Sequence, residues 1–395
     1  MTAAPLSRSQ ERLAVLALAF GVFVVAVNVN LVGALVPYLR EDGMYRGMSG
    51  LEGHFGLLLG AANGASALAA LLLGPSIDRY GRRGPMLLGG VLLVAGIVAH
   101  LFAVSPGQLL LVRGVSGFGG GLVFASASAA VADLVPYERR AAAMGIFSAG
   151  LFLATPVGLP LGLAIAERAP EGWRTAFGWL ALPSLLAVVG FARFLPAGLG
   201  RAEGRVNQWQ VLRQPGVFPA LLSVALYTGG FFTAVQFAPD WLDRSGLMPK
   251  EDQKLLWIFL GLSTAVGSLI LPRFADRLGK RPVVLFATAG VAICFLLLAR
   301  ATSTMGLLAV GLPVTMLAAL RSPALQALMS DIVEARHRGT LMGLRAAAVN
   351  VGGSLCAFGG GKVVEVHGYR ALLYAGALIL VASYFLVRYF VKERS

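Results

Sequence analysis

Gly74-Pro75-Ser76-Ile77-Asp78-Arg79-Tyr80-Gly81-Arg82-Arg83 separates two long apolar runs. One acid and three arginines, in a stretch too short for a domain, mark a tight loop between two membrane helices. Gly81 tolerates backbone angles closed to other residues, and Pro85 suits the first turn of the helix that follows. The arrangement returns 198 residues later, where Asp78, Gly81 and Arg82 map onto Asp276, Gly279 and Lys280. At the same offset Asp133 maps onto Asp331, Arg140 onto Arg338 and Gly145 onto Gly343. Such a coincidence of positions implies two homologous halves.

Composition sets the solvent. Of the 395 residues, 57% are hydrophobic and 13% charged, and the mean hydropathy is +0.76. Soluble chains carry about 25% charged residues, so this one can bury its apolar surface only in lipid. The net charge of +14 does not signal nucleic acid, because the basic residues lie in short loops between apolar runs. Membrane topology and anionic lipid headgroups account for it better. Cys294 and Cys356 both fall inside apolar segments and suggest neither a disulfide framework nor a metal site. The four histidines are scattered without ligand spacing, and no cofactor is implied. No phosphate-binding loop is present, so ATP is not expected to drive the protein.

A spanning helix needs about 20 largely apolar residues. Segments near 13–38, 54–77, 85–104, 107–134, 142–166, 175–197, 216–240, 254–275, 282–301, 304–332, 340–362 and 369–391 qualify. The first run follows a polar Met1–Arg12 and lacks a small-residue cleavage pattern, which reads as a retained helix. With the N-terminus in the cytoplasm, 20 Lys and Arg residues fall inside and 10 outside, leaving Arg113, Arg321 and Arg345 within the membrane. The positive-inside rule then places both termini in the cytoplasm. Residues 198–215 are polar and glycine-rich, with a short amphipathic helix expected around Trp209 to Leu212. The expected layout is an all-α membrane protein. A six-helix bundle spans 1–197, a cytoplasmic linker 198–215, and a second bundle 216–395. Gly172-Trp173-Arg174 before helix six and Gly368-Tyr369-Arg370 before helix twelve repeat at an offset of 196, so loop lengths have drifted by two.

This pattern resembles the major facilitator superfamily over the whole chain. The stretch from Gly74 to Arg83 resembles that superfamily's signature between helices two and three, with a weaker copy at 272–281. The run Arg113-Gly114-Val115-Ser116-Gly117-Phe118-Gly119-Gly120-Gly121 resembles its helix-four signature. In helix five, Thr155-Pro156-Val157-Gly158-Leu159-Pro160-Leu161-Gly162 resembles the proline-glycine antiporter motif, nearest to that of bacterial sugar-efflux and drug:proton antiporter members. The resemblance implies two pseudo-symmetric bundles and alternating access, not an enzyme. It also implies an inner-membrane monomer that moves a small molecule, with protons as the coupling ion. Helices two and eleven, and five and eight, are the implied moving contacts. Gly56, Gly60 and Gly64, with Gly339 and Gly343, supply smooth strips for such contacts or for ordinary close packing.

By resemblance, Asp78 faces the start of helix eleven near Gly339, and Arg82 pairs with Asp133. In the second half Asp276 faces the start of helix five near Ala141, and Lys280 pairs with Asp331. The alternative is solvated loop charge that enforces topology. Acids contribute little to topology, and both recur at a fixed offset, which favours gating.

Arg113, Arg321 and Arg345 are the cavity candidates with charge. Each costs about 2.5–3.5 kcal/mol at the bilayer centre even on the lenient scale, so each should face protein or water. Arg113 also serves a family motif, and Arg345 can snorkel inward. Asn28, Tyr227, Gln236, Gln326 and Asn350 are the neutral polar candidates, against the simpler reading of interhelical hydrogen bonding. All nineteen acids fall at helix ends or in loops, with Asp133 and Asp240 the least poor candidates for proton coupling. Helix one offers Asn28 and Asn30, which cannot titrate, where many proton-coupled drug exporters of the superfamily place an acid, which argues against both proton antiport and cationic drugs. Three functions follow: proton-driven efflux of amphipathic compounds or sugars; transport of an organic anion or anionic lipid by the buried arginines; and a non-transporting receptor on a transporter scaffold.

Overall fold

A computed structural model describes residues 7–197, 199–200, 208–270, 278–334 and 337–391; the side chains of 74–80, 132, 137–138, 140–141, 268–270 and 338–339 lie outside that description. The described chain is helical, without strands. The first half comprises α1 (Arg8–Glu41), α2 (Leu51–Tyr80), α3 (Arg83–His100), α4 (Pro106–Leu134), α5 (Tyr137–Leu153), α6 (Leu159–Arg168), α7 (Trp173–Gly178) and α8 (Ala181–Phe194). A short α9 (Gln208–Leu212) follows, then α10 (Val217–Arg244), α11 (Gln253–Ile270), α12 (Lys280–Leu298), α13 (Thr304–Ile332) and α14 (Arg338–Phe390).

Among the described residues ten helices are long and apolar enough to cross a membrane. The last of them, α14, is two helices merged across Gly368, whose φ of 79° is non-helical. With α11, which runs up to the undescribed residues 271–277, twelve traverses are accounted for. Leu72, Leu182 and Leu378, on spanning segments, each expose about two thirds of their surface, as a hydrocarbon surround allows.

Three expected boundaries are corrected. The 74–83 stretch is not a loop throughout: α2 continues to Tyr80, and the reversal is confined to Gly81, at φ 87°, and Arg82. Nothing in Ser76–Tyr80 opposes a helix, whereas Gly81 supplies the left-handed angle the turn needs. Helix five starts at Tyr137 and carries a π turn over Ala154–Gly158 before α6 resumes. Pro156 and Pro160 lack the N–H groups an unbroken ladder requires, and one wide turn absorbs the mismatch. Helix eleven does not stop near 362 but runs to the Gly368 kink.

Backbone geometry repeats with the sequence. Gly81 and Gly279, 198 residues apart, have φ of 87° and 89°. Ser105 and Ser303, at the same offset, cap α4 and α13 with φ/ψ of −138°/153° and −139°/152°. Each serine oxygen accepts a backbone N–H of the first turn, from Gln108 at 3.3 Å and Gly306 at 3.2 Å. Gly172 and Gly368, at the shorter offset, are both at positive φ.

Two compact units result, Met1–Tyr45 with Ala61–Arg205, and Arg46–Gly60 with Val206–Ser395. In the first, α1 lies against α5 and α6 by way of glycines. A Cβ on Gly150 would stand 2.2 Å from the Ala19 carbonyl oxygen, one on Gly158 2.2 Å from Val27, and one on Gly162 2.5 Å from Leu31. In the second, the leading end of α2 crosses α14 with almost no side chain between them. A Cβ on Gly56 would meet the Ala357 carbonyl at 2.6 Å, and one on Gly60 the Ser354 carbonyl at 2.9 Å. Such close approach of backbones is what small residues permit in lipid, where dispersion rather than hydrophobicity drives packing.

Candidate functional site

The buried arginines define the polar interior of each unit. Arg113, on α4, is wholly buried. Its Nη1 donates to the Asn28 carbonyl at 2.7 Å and its Nη2 to the Val29 carbonyl at 3.3 Å. Its Cζ sits 5.7 Å from the centre of the Phe177 ring, on which His100 stacks at 4.3 Å. Two main-chain carbonyls of α1 thus solvate a guanidinium of α4, tying the two helices together. Asn28 and Arg113 are brought together, but through the Asn28 main chain; among the described residues its buried side-chain amide has no partner.

In the second unit Arg321, on α13, is 3% exposed and held in a cage of hydroxyls. Its Nε donates to Thr288 at 2.8 Å, and its Nη2 to Ser223 and Ser383, each at 3.1 Å. The Tyr227 ring lies under the guanidinium, 3.7 Å from Cζ, and stacks in turn on Phe231. Arg345, on α14, donates from Nη2 to Ser322, the neighbour of Arg321 in the chain, at 3.2 Å. Among the described residues none of Arg113, Arg321 and Arg345 forms an ion pair.

The other polar candidates are dispersed. Gln236 is buried on α10, Gln326 is exposed on α13, and the Asn350 amide donates back to Ala346 of its own helix at 3.1 Å. Arg321 and Tyr227 are therefore in contact, Arg345 bonds the residue next to Arg321, and among the described residues Gln236, Gln326 and Asn350 show no bond to them. Sequence reasoning missed Ser223, Thr288, Ser322 and Ser383, since serine and threonine in an apolar helix look like packing residues.

At the turns, Arg82 Nε lies 3.1 Å from Asp133 Oδ2, while the Arg82 N–H donates to the Leu199 carbonyl at 2.8 Å. Lys280 pairs with Asp331 in the same way. Asp276 and the Asp78 side chain lie outside the described residues, as do the side chains of Ala141 and Gly339.

Further ion pairs join helix ends. Glu11 accepts from Arg139 at 2.9 Å, and Glu52 from Arg244 at 2.9 Å, with Asp240 3.8 Å from the same arginine nitrogen. Asp42 accepts from Trp173 at 2.8 Å and Arg174 at 2.7 Å. Burial pushes the Asp42 carboxyl up, but donation from the Met44 N–H, Trp173 and Arg174 outweighs it and holds the group below its ordinary value. Burial, and then the Asp42 charge, raises the nearby Tyr45 hydroxyl above its usual range. Asp42 and Asp240, like Arg46 and Arg244, stand 198 residues apart, the signal that could have drawn attention to them. Among the described residues no group of three His, Cys, Asp or Glu could hold a metal ion.

With this geometry in view, the family profile described as Major Facilitator Superfamily matches residues 18–261 and 250–395. The chain is 24% identical over 380 residues to the uncharacterized MFS-type transporter YtbD of Bacillus subtilis (strain 168), covering 94% of this chain and 93% of that one. It is 23% identical over 379 residues to the multi-drug resistance efflux pump PmrA of Streptococcus pneumoniae serotype 4 (strain ATCC BAA-334 / TIGR4), covering 92% of each. The crystal structure of a D-xylose-proton symporter superposes with a TM-score of 0.78 at 17% identity, covering 98% of each chain, a likeness of fold alone.

Proposed function

The chain belongs to the Major Facilitator Superfamily, and on that footing we propose that it exports small amphipathic compounds or sugars across the cytoplasmic membrane by alternating access and proton antiport. The observation that carries the export reading is the helix-five segment. Its prolines open the π turn, and Gly158 and Gly162 let that segment lie directly on α1. Its sequence resembles the antiporter motif, and an efflux pump aligns along nearly the whole chain. The protein works as a monomer with both termini in the cytoplasm, the orientation that puts 20 Lys and Arg residues inside. Residues 198–215 join the two bundles. Asp78, Arg82 and Asp133, with Asp276, Lys280 and Asp331, act as charged latches at the cytoplasmic helix ends, a reading supported by the Arg82–Asp133 and Lys280–Asp331 pairs. Asp240, 3% exposed on α10, and Asp133 are the acids offered for proton coupling.

The test is transport by purified protein in liposomes, using radiolabelled chloramphenicol as the amphipathic probe and radiolabelled isopropyl thiogalactoside as the sugar. A pH gradient should drive one of them at least several-fold faster than in empty liposomes, and collapsing the gradient should remove the difference. Rates equal to those of empty liposomes for both probes, in either gradient direction, would overturn the export reading.

A further inference from the structure

The duplicated halves supply an internal comparison for the polar group around Arg321. Subtracting the 198-residue offset puts Val123 at the place of Arg321, Phe147 at that of Arg345, Val29 at that of Tyr227 and Val25 at that of Ser223. Thr288 corresponds to Gly90, and Ser383, at the shorter 196-residue offset, to Ala187. Val123, Val25, Phe147 and Ala187 are all buried. The first half therefore fills these positions with apolar core. A scaffold that closes on Val123 and Phe147 has no structural need for arginines there, and placing charge in the interior is costly.

Among the described residues the second half bears that cost without an acid paired to Arg321 or Arg345. Arg321 spends Nε and Nη2 on the hydroxyl cage and leaves Nη1 without a hydrogen bond. Arg345 spends Nη2 on Ser322, and among the described residues its buried Nε has no partner. Among the described residues the hydroxyl of Tyr227, 6% exposed, has no partner either. Arg345 reaches Ser322, the residue next to Arg321, so two like charges are brought to neighbouring positions where they repel. Two guanidinium groups with unspent donors, held together against their repulsion, make a site whose missing component is negative. Forked guanidinium donors match the oxygens of carboxylate and phosphate.

We infer that Arg321 and Arg345, with the Tyr227 hydroxyl, form an oxyanion subsite in the second unit that takes a carboxylate or phosphate group. Arg321 is preset by the serine and threonine cage, and the half-buried Arg345 closes on the ligand. The inference rests on the transport reading only in treating the bound anion as cargo.

The experiment is a thermal-unfolding titration of the full chain in phosphatidylcholine nanodiscs, with benzoate and inorganic phosphate as probes and xylose as the neutral control. At least one anion should raise the melting temperature saturably while xylose does not. Arg345→Gln should weaken that anion about tenfold or more, the scale of one charged hydrogen bond. Tyr227→Phe, which removes only an oxygen, should weaken it several-fold if Arg345→Gln fails to fold. Arg300→Gln, at an exposed position elsewhere, should leave affinity within twofold. Discs containing a tenth phosphatidate separate the sources. If a lipid headgroup fills the site, these discs stabilise wild-type protein but not Arg345→Gln, and free anions add nothing. If a free solute does, the anion response persists. No saturable response to benzoate, phosphate or phosphatidate, or equal affinity in wild type, Arg345→Gln and Tyr227→Phe, would overturn the subsite. Binding without any gradient-driven transport would instead count against the transporter reading and leave the subsite standing.

Discussion

Arg82 Nε stands 3.1 Å from Asp133 Oδ2, joining the turn after α2 to the last turn of α4. Both side chains keep contact with solvent, so the pair has the strength of a surface ion pair. A double-mutant cycle with Arg82→Gln and Asp133→Asn should return a coupling of about 0.5–1 kcal/mol in thermal unfolding. It should shrink at high salt. A coupling indistinguishable from zero at low salt would show that the two groups do not act on one another.

Gly150 and Gly145 lie on one helix and face different surroundings. Gly150→Ala drives a methyl group to 2.2 Å from the Ala19 carbonyl, a backbone atom that cannot swing aside, whereas a Cβ at Gly145 meets nothing within 4 Å. Gly150→Ala should destabilise the protein by about 1–3 kcal/mol. Gly145→Ala should be neutral or stabilising by about 0.5–1 kcal/mol. Melting temperatures of the two purified variants in detergent check this, and equal effects would refute the α1–α5 contact.

Asp42 gives a pH dependence whose sign follows from its depressed carboxyl. A group held below its unfolded value stabilises the fold above about pH 4, and that contribution disappears as acid protonates the folded carboxylate. Asp42→Asn should therefore melt lower than wild type at pH 7, by about 1–2 kcal/mol for the weakened Arg174 and Trp173 contacts. The gap should narrow between pH 5 and pH 3. A constant gap across that range would mean the carboxylate is not the stabilising form.

Arg113 bonds only to main-chain carbonyls among the described residues, so its removal should act on folding rather than on ligands. Arg113→Ala leaves a large hole between α1 and α4 and should cost about 3 kcal/mol or more, seen as a lower melting temperature and yield. Restoring bulk with Arg113→Met should recover part of that loss. A stable Arg113→Ala protein that had lost anion binding would reverse the assignment.

The 198-residue repeat was legible because the features that carry it are local. Gly81 and Gly279 must turn the chain, Ser105 and Ser303 must cap helices, and basic residues must stay near headgroups, so each announces itself by type and spacing. The lengths of the apolar runs likewise define the traverses, since hydrocarbon thickness is a fixed ruler. The helix ends at Tyr80 and near residue 367 are not legible in the sequence, because polar residues at a membrane surface continue a helix as readily as they end it.

What remained hidden was azimuth. In water, a helix declares its buried face by contrast with a polar one. Here lipid and bundle interior are both apolar, so α13 presents no polar stripe to show where Arg321 points. Residue order alone could name Arg113, Arg321 and Arg345 as costly, and could count the spans and their duplication. Only the tertiary structure could show that two nitrogens of Arg113 are taken by carbonyls of α1, whereas Arg321 meets Tyr227 and hydroxyls from three other helices and Arg345 reaches the residue next to it. Those partners are distant in the chain, and which of them converge depends on packing between helices rather than on any periodicity within one.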